Sequence, residues 1–112
     1  MRENEEFVAF FDIFPSTKGQ TLVIPKQHYA SDLFLIEDGA FYQRYLLATK
    51  AVVDLLKKGL GVHRVAMVME GLSVPHLHLK LYPLYPDVRF SIDSGEKADE
   101  EALKALQAQV LE

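Results

Sequence analysis

Residues 74–82 alternate without a break. Pro75, Leu77, Leu79 and Leu81 fall on one side of an extended backbone, and Val74, His76, His78, Lys80 and Tyr82 fall on the other. A period of two sustained this long fits a strand and not a helix. One face is apolar enough to be core and the other carries ionisable groups, the pattern of an antiparallel sheet covered on a single side.

The rest of the chain supplies partners for such a strand. Residues 6–11 are aromatic and β-branched and lead into the turn-prone run Pro15-Ser16-Thr17-Lys18-Gly19. Residues 21–24 read as a second strand, stopped by Pro25, so the two form a hairpin with a long loop. Over residues 38–58, Phe41, Tyr45, Thr49, Val52 and Leu56 make one helical stripe, flanked by Tyr42, Leu46 and Val53. Asp38 suits the helix start, Lys57 and Lys58 its last turn, and Gly59 its stop. Residues 63–69 read as a third strand, Glu70-Gly71 as a turn, and residues 74–82 as the fourth. After a polar stretch over residues 91–96, residues 97–112 form a short charged helix whose stripe is Leu103, Leu106, Val110 and Leu111, free to pack on the sheet or on a partner. Strands placed early and late around one long helix predict an α+β fold rather than a parallel βαβ sheet.

Composition narrows the functions. At 112 residues the chain fits one domain, and 49% hydrophobic with 25% charged residues argues against disorder. No apolar run approaches the ~20 residues of a membrane span. Residues 1–10 lack the apolar core of a secretory signal, so the cytoplasm is the expected location and no membrane partner is expected. The absence of cysteine excludes a disulfide framework and a Cys-based zinc site. A formal charge of −4 speaks against a broad nucleic-acid footprint, although local donors can still hold a small anion.

On the ionisable face of the fourth strand, His76, His78 and Lys80 follow one another at roughly 6–7 Å, near enough to address one phosphate together. A neutral imidazole can attack phosphorus, and an adjacent cation can stabilise charge on the phosphoryl oxygens. The same alternation also describes the solvated face of an ordinary strand. His-x-His is metal-ligand spacing too, but no nearby carboxylate joins the pair and only His28 and His63 remain as further imidazoles.

Pro75-His76-Leu77-His78-Leu79-Lys80-Leu81-Tyr82-Pro83 resembles the signature of the histidine triad (HIT) superfamily, His-φ-His-φ-His-φ-φ with φ apolar, with Lys80 where the third His is expected. Phe10-Phe11-Asp12-Ile13-Phe14-Pro15 and Gly19-Gln20-Thr21-Leu22-Val23-Ile24-Pro25-Lys26-Gln27-His28 resemble the two upstream blocks of that family, in order and at a fitting separation.

The resemblance implies an antiparallel sheet of about five strands with one long helix packed on it and a short C-terminal helix. It places the HIT-like domain over residues 1–90 and makes residues 91–112 part of the same unit. It also implies a nucleotide hydrolase or nucleotidyl transferase acting at an α-phosphorus through a nucleotidyl-histidine, with a small nucleotide as substrate and no cofactor. His78 would be the nucleophile, His76 would orient it through its backbone carbonyl, and Lys80 would supply charge. Asp12 would accept from the ribose hydroxyls, Phe10, Ile13 and Leu22 would line the base pocket, and Ser73 would lie near the phosphate. Gln20, counted with the nucleotide-binding residues, stands where an upstream His is usual, and Leu72 stands where a Gln is frequent. The Gly-rich turn before the signature is shortened, and His28 reads as structural. These departures keep a second reading open, a nucleotide-binding module with little turnover. Many relatives are homodimers, and the stripe Phe41/Tyr42/Tyr45 exceeds what a small monomer needs to bury, so a homodimer through the long helix or the third strand is expected.

Overall fold

A computed structural model of the chain describes residues 2–93 and 95–111. Five strands form one antiparallel sheet: β1 (Arg2–Glu3), β2 (Phe7–Phe11), β3 (Thr21–Pro25), β4 (Arg64–Val68) and β5 (Leu79–Leu84). Their spatial order is β1-β2-β3-β5-β4, and helices α1 (Gly39–Leu60) and α2 (Glu100–Leu111) complete the α+β fold. Strand β1 is too short and too charged to signal itself in sequence. It exists because Asn4 turns the chain, its Oδ1 accepting from the N–H groups of Glu6 and Phe7 at 2.8 Å each.

The hairpin of β2 and β3 pairs Phe7 with Pro25 through Phe11 with Thr21. Phe7, Ala9, Val23, Leu79 and Leu81 point to the helix side and are buried. There the stripe Phe41, Tyr45, Thr49, Val52 and Leu56 closes over them. The Phe7 and Tyr45 rings stack with centroids 4.9 Å apart, and the Tyr45 hydroxyl donates to the Val23 carbonyl at 2.6 Å. Burial pushes the Tyr45 phenol well above its usual range, which keeps that donor protonated. Phe41 and Tyr45 are therefore spent on the core of one protomer, and Tyr42 sets its hydroxyl against the carbonyls of Leu33 and Ile36. The aromatic stripe is no surplus left over for a dimer.

Asp38 caps α1 by accepting from the Ala40 N–H at 3.0 Å, as its position predicts. The helix does not stop at Gly59. It runs to Leu60 and ends on Gly61, whose left-handed φ of 67° suits glycine. Gly59 answers to α2 instead. A Cβ there would lie 2.5 Å from Val110 Cα and 2.9 Å from the Gln109 carbonyl oxygen, so its missing side chain is what lets the two helices touch. Helix α2 buries Leu106 and Val110, while Leu111 stays partly exposed. It starts at Glu100 and not at residue 97, because the Gly95 and Ala98 N–H groups bond the carbonyls of Phe14 and Ile13 at 3.1 and 2.7 Å. Ser94 and Glu112, included in the C-terminal expectations, lie outside the described residues.

The fourth predicted strand is shifted. Strand β5 spans Leu79–Leu84, and residues 74–78 precede it without ladder partners. The ladder from β3 ends at Val23 opposite Leu79, just before Pro25, and the ladder from β4 ends at Val68 opposite Lys80. Alternation survives on the buried side at Leu77, Leu79 and Leu81 but fails at Pro75, which is exposed. Tyr82 belongs to the other face yet is fully covered, its ring meeting Phe90 edge-on at 5.2 Å.

Candidate functional site

On the face turned away from α1, the register sets Phe10 beside Leu22, Leu22 beside Lys80 and Lys80 beside Val68. Phe10, Leu22 and Lys80 of this row floor a cavity of about 300 Å³. Phe10, Phe14, Leu22 and Ile24 make its apolar end, and Asp12, Ser73, His76, His78 and Lys80 supply its polar groups. A larger hollow of about 500 Å³ between β2 and α2 has Lys104 as its one charged lining residue among the described residues, whereas the smaller cavity gathers a carboxylate, two imidazoles and an ammonium.

His78 is buried and donates from Nδ1 to the His76 carbonyl at 2.8 Å. A carbonyl only accepts, so Nδ1 carries the proton and the neutral ring keeps its lone pair on Nε2. His76 is itself clamped. Its Nε2 donates to the Pro25 carbonyl at 3.0 Å, and its Nδ1 lies 3.2 Å from His28 Nδ1. The segment before β5 is fixed by two more bonds where the ladder is missing: Leu77 N–H to the Tyr29 carbonyl at 3.1 Å, and Ser31 Oγ to the Gly71 carbonyl at 2.7 Å. Gly71 has a φ of 66°, and a Cβ there would overlap the Ser31 carbonyl oxygen, so the short turn demands glycine.

Asp12 both closes a turn and faces the cavity. Its Oδ1 accepts from the Phe14 N–H at 2.8 Å, an Asx turn, and the same carboxylate lines the cavity. The turn directs Phe14, not Ile13, to the lining, and Ile13 stands 47% exposed. Gln20 does not reach the cavity. It is buried and donates from Nε2 to Asp12 Oδ2 at 2.7 Å, while its Oε1 accepts from the Ser16 N–H at 2.7 Å. Gln20 thus holds the carboxylate in place and is not positioned to touch a ligand there. Nearby, burial first, and then the negative charges of Asp12 and Glu70, raise the Tyr82 phenol above its usual range.

The structure therefore brings Phe10, Asp12, Leu22, Ser73, His76, His78 and Lys80 to one cavity and leaves Ile13 and Gln20 off its wall. Sequence reading missed Ile24, which shares the face of Leu22 by a period of two and was findable that way. It missed Phe14, whose place depends on the Asx turn, and the contact of His28 with His76, which no local pattern announces. Leu72, in the place of a frequent Gln, is 89% exposed, and His63 is exposed as expected.

A triad-type imidazole pair on a half-covered antiparallel sheet, beside an acid-bearing turn, defines a class of small-ligand sites, and residues 1–87 match the family described as HIT domain. The chain belongs to the HIT family. It is 38% identical over 92 residues to the adenosine 5'-monophosphoramidase HINT3 of Danio rerio, an alignment covering 76% of this chain and 55% of that protein. The chain thus spans about half the length of that relative. Among solved structures, a hypothetical histidine triad nucleotide-binding protein from Sulfolobus tokodaii superposes with a TM-score of 0.80 at 26% identity, covering 97% of this chain and 78% of that one. A zinc-bound histidine triad family protein from Mycobacterium smegmatis gives a TM-score of 0.78 at 25% identity, covering 98% of this chain and 81% of that one. Among the described residues no group of three or more His, Cys, Asp or Glu side chains is placed to hold a metal ion.

Proposed function

We propose that this protein is a nucleotide hydrolase or nucleotidyl transferase that works at an α-phosphorus through a nucleotidyl-His78 intermediate. The observation that carries this reading is the bond from His78 Nδ1 to the His76 carbonyl, which leaves Nε2 as the nucleophilic nitrogen of a ring lining the cavity. The base and sugar would lie against Phe10, Phe14, Leu22 and Ile24, the ribose hydroxyls at Asp12, and the phosphate between Ser73, His76, His78 and Lys80. His78 Nε2 attacks phosphorus as the bond to the leaving group breaks, and water or another acceptor then releases the nucleotide. Lys80 offsets the charge that develops on the phosphoryl oxygens. The phosphoramidase activity in the name of the zebrafish relative makes a nucleoside phosphoramidate the first substrate to offer.

The test is to mix protein with adenosine 5'-phosphoramidate, quench, and look for an adenylyl adduct on His78 by mass spectrometry. The adduct is expected in the parent and not in His78→Ala; turnover by His78→Ala equal to the parent on every substrate sinks the nucleophile. A second reading, a nucleotide-binding module, is favoured by Leu72, which projects into solvent and offers no amide to the phosphate. Nucleotide binding without adduct or turnover would establish it. We further propose that the protein is a cytoplasmic homodimer without nucleic-acid or membrane partners. The outer edge of β4, where Met67 is 51% exposed, is the surface that supports adding a second copy of the sheet. A monomer mass that persists on concentration would refute the dimer. No described helix is long and apolar enough to cross a membrane.

A further inference from the structure

We propose that His28 is a positioning residue that fixes the protonated form and ring orientation of His76, and through it the carbonyl that orients His78. Hydrogen-bond accounting leads there. Two N–H groups cannot face each other at 3.2 Å, so of the two Nδ1 atoms one donates and the other accepts. The Nε2 of His76 points at the Pro25 carbonyl, which can only accept, so Nε2 carries a proton. In the neutral ring the Nδ1 of His76 then holds the lone pair, and His28 is the donor. The chain reads His28 Nδ1–H to His76 Nδ1, His76 Nε2–H to the Pro25 carbonyl, and His78 Nδ1–H to the His76 carbonyl.

The location gives this chain weight. Residues 74–78 have no strand partner, so the backbone of His76 takes its place from what its own ring and its neighbours bond. Without His28, the His76 ring keeps one anchor and can turn about it. The carbonyl presented to His78 then loses its fixed direction, and His78 loses its preference for the tautomer with a free Nε2. His28 stands exposed beside the cavity wall and does not line it, so its effect passes through His76.

The catalytic consequence rests on the nucleophile assigned above to His78, so the test has an arm independent of turnover. Full-length parent, His28→Ala and His28→Asn are labelled with ¹⁵N and the imidazole nitrogens followed by long-range ¹H–¹⁵N NMR. The Asn amide can donate where Nδ1–H did. In the parent, His76 is expected as the Nε2–H form and His78 as the Nδ1–H form. His28→Ala should shift the nitrogen signals of both rings toward a mixture of forms, and His28→Asn should return them. On a nucleoside phosphoramidate, His28→Ala should lower kcat about fivefold to tenfold with KM changed less than about twofold, the loss of one neutral hydrogen bond that matters in the reacting geometry. His28→Asn should recover most of it. Parent-like ring signals in His28→Ala, or Asn as impaired as Ala, overturn the assignment. A parent without turnover refutes the enzyme reading alone, and the ring signals still decide the role of His28.

Discussion

Gln20→Leu separates the support of the site from the site itself. The amide of Gln20 donates to Asp12 at 2.7 Å and accepts from the Ser16 N–H at 2.7 Å, and the side chain is buried. A hydrogen bond to a charged group contributes about 1.5–3 kcal/mol, and the half-exposed carboxylate of Asp12 puts this one near the lower figure. Stranding the Ser16 N–H costs about 1 kcal/mol more. Burying a leucine in place of the amide returns about 0.5–1 kcal/mol, leaving a net loss of about 1.5–2 kcal/mol. For a domain of this size that lowers Tm by roughly 6–10 °C, read by circular dichroism. Asp12, held only by the Phe14 N–H, then also loses its fixed direction. Titration calorimetry should show adenosine monophosphate bound about fivefold to tenfold more weakly, with a 2',3'-dideoxy analogue unaffected. An unchanged Tm would refute the packing argument, and equal weakening of both nucleotides would refute the link to the ribose hydroxyls. Gln20→Glu carries the sign further. Two adjacent carboxylates raise the folded pKa of one of them, so the variant should be most stable below the usual carboxylate range and lose stability as pH rises through the raised value.

Lys80→Ala should slow turnover by no more than the ~3–4 kcal/mol that one charge-stabilising donor contributes, and Lys80→His should speed hydrolysis of substrates with poor leaving groups while changing good ones little; steady-state kinetics over a leaving-group series checks both. Gly59→Ala should lower stability by about 1–3 kcal/mol in urea unfolding although alanine favours helix by about 1 kcal/mol, because the new methyl meets the backbone of α2 and not a yielding side chain. Deleting residues 91–112 should lower the urea midpoint sharply by uncovering the surface that Leu106 and Val110 bury; an unchanged midpoint would show that the C-terminal segment is no part of the folding unit.

What the sequence announced was whatever had a period. The stripe of α1 and the alternation over residues 74–82 carry their own register, the aromatic and β-branched runs of β2 and β3 declare strands by composition, and Asp38 marks a helix start by chemistry that needs no tertiary partner. Strand β1 has no such signal, since two charged residues pair only because Asn4 bends the chain. Gly59 reads as a stop because glycine ends helices more often than it admits a neighbour, and α2 decides the matter from fifty residues away. The site divides in the same way. His76, His78 and Lys80 were legible from one stretch, and Asp12 from one block. The two side chains that brace them, Gln20 against Asp12 and His28 against His76, depend on long-range placement that a linear pattern cannot express.

The end of the β3–β5 ladder at Val23 and Leu79 divides the protein by opening free energy. Lys80 and Leu81 are laddered to both β3 and β4, so their amides should exchange with solvent only when the sheet as a whole unfolds. Those of residues 72–78 hang on a few side-chain and turn bonds and can open alone. The imidazole of His78, the proposed nucleophile, therefore occupies the soft side of a boundary whose hard side is the floor of its own cavity. Substitutions around it can change the chemistry while the cooperative unfolding of the sheet stays nearly constant.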